Sequence, residues 1–274
     1  MSILKFLSKY KWCIFYAVMS GFGLAFALQL LKDYGVDKFL MGVLFTILLL
    51  CFEIYLNWRY ATKVLRQIDM PSINVYNLWG HFMNHLTLPL LLIISFAGFI
   101  FFNEDDLIRI VAICFLTIIN LILFVNIHSY YKDEFRLEEE TRYIYDLIKL
   151  IIFFFGLNLI LNIKKYWEVE LWIVSLLVCF LALGLGLLLI YRKNAQSLVS
   201  VAYVIIVSFG LSVIFMILSF LGVVFFGINI IIFLLFYLAL AILHHKIDRT
   251  LTINVFIEYS LIIVLVFLLF IGIS

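Results

Sequence analysis

The residues able to do chemistry are few in this chain, and they gather at a small number of places. His81 and His85, in HFMNH, stand four positions apart and share one face if the segment is helical. His128 lies in FVNIHSYY, and AILHHKIDRTLT holds His244 and His245 side by side. Two glutamates, Glu53 in LLLCFEIYLNWRY and Glu258 in NVFIEYSLIIV, interrupt runs that are otherwise apolar. Imidazoles and carboxylates at one depth are the ligand set of a zinc or iron site. On that chemistry His81, His85 and His128 are the candidate metal ligands. Glu53, Glu258, His244 and His245 are the candidate acid–base groups, because an ionisable side chain inside an apolar span is costly and is by default a functional hypothesis. Each set has a plainer alternative. Histidine is amphipathic and is tolerated where lipid headgroups meet water. Either glutamate can be neutralised by Arg59, Lys149 or Arg249.

Other chemistries find no support. No GxGxxG, GxxxxGK, GxSxG or HExxH occurs, so neither a nucleotide cradle nor the common hydrolase signatures are present. HFMNH is an HxxxH and lacks the HxxHH boxes of membrane desaturases and hydroxylases. Cys13, Cys51, Cys114 and Cys179 are scattered through apolar segments without a CxxC, which reads as small apolar residues and not as a zinc ribbon or redox pair. No cofactor is assigned.

The elements that must position these residues follow from composition. Of the 274 residues 66% are hydrophobic and only 13% charged. A soluble domain is nearer half apolar and a quarter charged, so the solvent that suits this chain is a bilayer. The net charge of +2 and the scatter of the basic residues exclude a nucleic-acid surface. Continuous apolar runs and the need to satisfy every backbone group in lipid predict helices and no strands. Nine runs are long enough to cross: 12–31, 39–57, 84–102, 107–128, 147–163, 171–191, 198–219, 223–243 and 254–273. The N-terminal run is too long for a signal peptide and has no small-x-small cleavage site, so it reads as the first span.

Two stretches need argument. Leu198 to Leu243 contains no charge. A single helix of that length would be more than twice as long as the hydrocarbon is thick, so the run must turn, and SFLGVVFFG (Ser219 to Gly227) carries the glycines for it. Met70 to Met83 is too polar to cross, but Tyr76 and Trp79 favour the interface, so it reads as an interfacial lead into the third span.

Orientation follows from the basic residues. With the N-terminus inside and nine spans, thirteen of the nineteen Lys and Arg fall in inner segments and four in outer ones, and Arg109 and Lys149 lie near helix ends. That bias is the positive-inside pattern. It puts the N-terminus in the cytoplasm, the C-terminus outside, and all five histidines at the inner face. The knot HHKID becomes an inner loop between spans eight and nine, whose charges topology alone explains. Asn120, Asn126, Asn158 and Asn162 read as carboxamides that hold helices together, and Ala182, Gly184 and Gly186 as a small-residue contact face on span six.

Nine spans with inner loops after spans two and six resemble the layout of UbiA-type prenyltransferases. Those loops here read NWRYATKVLRQID and YRKNAQS, with one aspartate, Asp69, in the first and none in the second. Magnesium–diphosphate chemistry needs several carboxylates, so the resemblance stops at layout and no family is assigned. The expectation is one all-α transmembrane domain, 1–274, a multi-pass protein of the cell or inner membrane. Its best functional reading is a membrane enzyme or lipid-handling protein with a polar site at the cytoplasmic face. The alternatives are a transporter or channel, or an assembly subunit of a membrane complex. Membrane lipids are the expected partners, and the inner loop 130–146 is the candidate docking segment for other membrane proteins.

Overall fold

The computed structural model describes residues 9–67, 75–132, 138–192, 197–247, 252–254, 257–261 and 264. Eight long helices follow one another: α1 (Lys11–Tyr34), α2 (Val36–Gln67), α3 (Val75–Phe102), α4 (Asp106–Lys132), α5 (Glu138–Trp167), α6 (Leu171–Arg192), α7 (Leu198–Phe220) and α8 (Phe225–Ile247). Among the described residues there is no strand, and all eight helices are long and apolar enough to cross a membrane. The protein is therefore a polytopic, all-helical membrane protein. The expected ninth span, 254–273, lies largely outside the described residues; Asn254, 257–261 and Val264 within it are helical, as is Ile253 just before it. The segment read as an interfacial lead is, from Val75 on, the first part of α3 and continuous with the third span.

The chain forms two compact units, Met1–Ile152 and Phe153–Ser274. In the first, α1 and α2 form a tight hairpin. Gly35 makes the turn with φ 87°, a left-handed conformation that favours glycine. The helices then approach almost backbone to backbone: a Cβ on Gly42 would lie 2.8 Å from the Ala27 Cα. This is small-residue packing, which lets helices gain dispersion contact where lipid supplies no hydrophobic drive. Helix α4 lies on the other side of α1, tied at both ends. The Tyr10 hydroxyl is 3.1 Å from Ser129 Oγ, and Lys32 Nζ is 2.7 Å from Asp106, which also receives Arg109 at 3.2 Å. Midway, Asn120 Nδ2 donates to Ser20 Oγ at 2.9 Å, with both side chains buried. Of the four asparagines expected to join helices, Asn120 does so. Asn126 bonds the Ile122 carbonyl of its own helix, and Asn162 bonds Asn158. Phe96, Phe124, Leu92 and Ile93 fill the interior, while Phe22, Phe26, Leu44 and Leu48 face outward, as a lipid-facing surface requires.

In the second unit, α6 and α7 are joined by Ser175, whose hydroxyl lies 2.6 Å from Ser212 Oγ. Ser197 caps α7 by accepting from the Ser200 N–H at 3.1 Å. The turn expected between Ser219 and Gly227 falls at Leu221–Val224, with Gly222 at φ 70°. It returns the chain as α8. There Phe236 stacks on Phe153 at a ring separation of 3.8 Å, and Phe233 meets Phe154 edge-on at 5.5 Å. The C-terminal half of α5 thus packs against α8 through aromatic rings.

Candidate functional site

The first unit buries ionisable side chains on α2, α3 and α5. Glu53 comes from α2 and is 2% exposed. It lies within electrostatic reach of Tyr16 on α1. His85 lies on α3 and is 6% exposed. Its Nδ1 lies 2.9 Å from the hydroxyl of Tyr145 on α5, itself buried. One turn further along α5, Lys149 is 1% exposed and its Nζ is 3.0 Å from Asp146. His128 on α4 meets the Tyr10 ring edge-on at 5.8 Å.

Each placement has a local cause. Lys149 stands within the apolar run of α5, between Ile148 and Leu150, and is 1% exposed. An ammonium there must be neutralised or desolvated at high cost. Asp146 supplies the counter-charge from the same helix face, three positions earlier, where neighbouring side chains meet. Asp146 is also the more exposed partner, at 19%, so the pair runs from the solvent edge inward. The His85–Tyr145 contact brings a weak acid to an imidazole in apolar surroundings. The phenol either donates to Nδ1 or accepts from it, and the ring tautomer follows that choice.

Two of these contacts pair ionisable groups directly, Tyr145 with His85 and Lys149 with Asp146. Lys149, Tyr145 and His85 can donate to an oxyanion or a carbonyl, and Glu53 and His85 can take a proton.

The remaining sequence-derived candidates fall elsewhere. His81 lies one turn before His85 on the backbone of α3, and its side chain is outside the described residues. His244 and His245 end α8, in the second unit. His245 faces the Tyr259 ring at 5.9 Å, one residue beyond Glu258, which is exposed. The ring contact of His245 is thus with Tyr259. Among the described residues no group of three or more His, Cys, Asp and Glu could hold a metal ion. Sequence reasoning missed Tyr145, whose type and spacing carry no signal, and treated Lys149 only as a counter-ion for Glu53. An Asp-x-x-Lys entering an apolar run was the available clue.

No known family model, curated protein or solved structure matches the chain.

Proposed function

We propose that this polytopic membrane protein handles lipid headgroups, as an enzyme or a lipid-binding protein, at the buried polar groups of the first unit. The basic residues assign them to the cytoplasmic face. The observation that carries the reading is the burial, in one unit, of Glu53, His85, Tyr145 and Lys149 from three different helices. Groups that cost this much to hold in an apolar interior, and that supply both proton donors and acceptors, mark a working site. In this reading Lys149 attracts the headgroup phosphate or ester, Glu53 and His85 exchange protons, and Tyr145 orients His85.

The test extracts the protein with its native lipid annulus in a polymer disc and measures the bound lipids by mass spectrometry. Wild type, Glu53→Gln and Lys149→Met are compared, with folding followed by thermal melting. One headgroup class should be enriched severalfold over the bulk membrane in wild type and return to the bulk value in the variants. Identical lipid profiles in three folded proteins would reject the reading. A second reading, proton-linked transport, draws on the same buried carboxylate and imidazole. It requires Glu53-dependent proton uptake by proteoliposomes carrying a pH-sensitive dye.

A further inference from the structure

The second unit contains a cavity of about 150 Å³ between the C-terminal end of α5 and the start of α8. Asn158, Asn162, Lys165, Asn229, Phe225 and Phe226 are among its lining residues, and no carboxylate is. Its polar groups are arranged unevenly. Asn162 Nδ2 donates to both the carbonyl and the Oδ1 of Asn158, at 3.0 and 2.8 Å. That fixes the Asn158 carboxamide with its acceptor occupied, so its NH₂ group is the end left for another partner. Asn229 is 2% exposed, and its buried Oδ1 has no hydrogen-bond partner among the described residues. Lys165 makes no ion pair among the described residues; its ammonium lies over the Tyr166 ring at 5.1 Å.

A buried carboxamide is normally satisfied, because leaving one unpaired costs the full desolvation of the group. If Asn229 served only to hold helices together, it would bond a neighbouring helix, as Asn120 does. Instead it lines a cavity with a cation, a donor amide and two aromatic walls. From this geometry we infer that the cavity binds a phosphate group. The ammonium of Lys165 and the NH₂ of Asn158 take the phosphoryl oxygens. A hydroxyl of the ligand, either P–OH or a headgroup alcohol next to the phosphate, donates to Asn229 Oδ1. Phe226 is exposed beside the cavity and gives an acyl chain a surface to lie on. The phosphate can come from a lipid headgroup or from free phosphate, since both present the same oxygens. The inference concerns a different unit from the acid–base cluster and does not depend on it.

The full-length protein in neutral detergent is titrated in one arm with sodium phosphate, against sodium sulfate at equal ionic strength, by calorimetry. In the other arm it is titrated with short-chain phosphatidylglycerol, against the phosphatidylcholine of the same chain length, by native mass spectrometry. Saturable binding is expected in at least one arm, with phosphate preferred over sulfate, or phosphatidylglycerol over phosphatidylcholine, because sulfate and choline offer no hydroxyl to Asn229. Lys165→Gln and Asn229→Leu should each weaken it about tenfold or more, the range for a charge-assisted or buried hydrogen bond. Asn229→Leu should melt at the wild-type temperature or above, since it removes an unpaired polar group without changing the volume much. Binding in the first arm alone identifies the free ion, and in the second alone the lipid. No saturable binding in either arm, or binding that both folded variants retain, overturns the inference.

Discussion

The Tyr145 hydroxyl lies 2.9 Å from Nδ1 of His85 and joins α5 to α3 across sixty positions of sequence. Both side chains are buried, so the bond is made where water offers little competition, and its loss cannot be repaired cheaply. Tyr145→Phe keeps the ring and removes the phenol. It should lower stability by about 1 kcal/mol, approaching ~3 kcal/mol if the His85 nitrogen is left unsatisfied. Unfolding in mixed micelles titrated with SDS measures the difference. A variant as stable as wild type would show that the contact contributes nothing net.

The Lys149–Asp146 pair should respond asymmetrically. Lys149 is the fully buried partner and Asp146 the more exposed one. Asp146→Asn leaves an ammonium deep in the unit, and removing one member of a buried pair costs roughly 3–5 kcal/mol. Lys149→Met leaves a carboxylate near the solvent edge and should cost about 1 kcal/mol, the range of a partly screened pair. The double variant should recover much of what Asp146→Asn loses. Equal costs for the two single variants would contradict the burial gradient.

Gly184 and Gly186 are expected to differ sharply although only one residue separates them. A Cβ on Gly186 would meet Val204 Cγ1 of α7 at 2.6 Å, whereas one on Gly184 meets nothing within 4 Å. Gly186→Ala should destabilise by about 1–3 kcal/mol, the cost of overpacking a tight contact. Gly184→Ala should be neutral or stabilise by roughly 0.5–1 kcal/mol, through reduced freedom of the unfolded chain. The same denaturation assay reads both.

The turn between α7 and α8 gives a topology test. Leu221 is 73% exposed and follows the last residue of α7. In a background without Cys13, Cys51, Cys114 and Cys179, Leu221→Cys should react with a membrane-impermeant maleimide added from outside. Reporter fusions after Asn194 and His245 should read cytoplasmic. Protection of Cys at 221 in intact cells, together with labelling in inverted vesicles, would reverse the orientation drawn from the basic residues.

What the sequence determined by itself was the class of object and the sites of its turns. Run length, the demand that lipid places on backbone groups, and the absence of charge from Leu198 to Leu243 required helices and a turn near Gly222, and the turn is there. The cost of charge in lipid also made Glu53 stand out, and it is buried. Tertiary structure decided which way each span faces. These spans are apolar nearly all round, so periodicity does not select a buried face. Ala182, Gly184 and Gly186 were expected to share a contact face, yet Ala182 and Gly186, four apart, are buried and Gly184 is not, because residues two apart point to nearly opposite sides of a helix. The partnership of His85 with Tyr145 and the cavity around Asn229 have the same origin. Each depends on how helices distant in sequence rotate and pack, and that is set by the fit of neighbouring side chains and not by hydropathy.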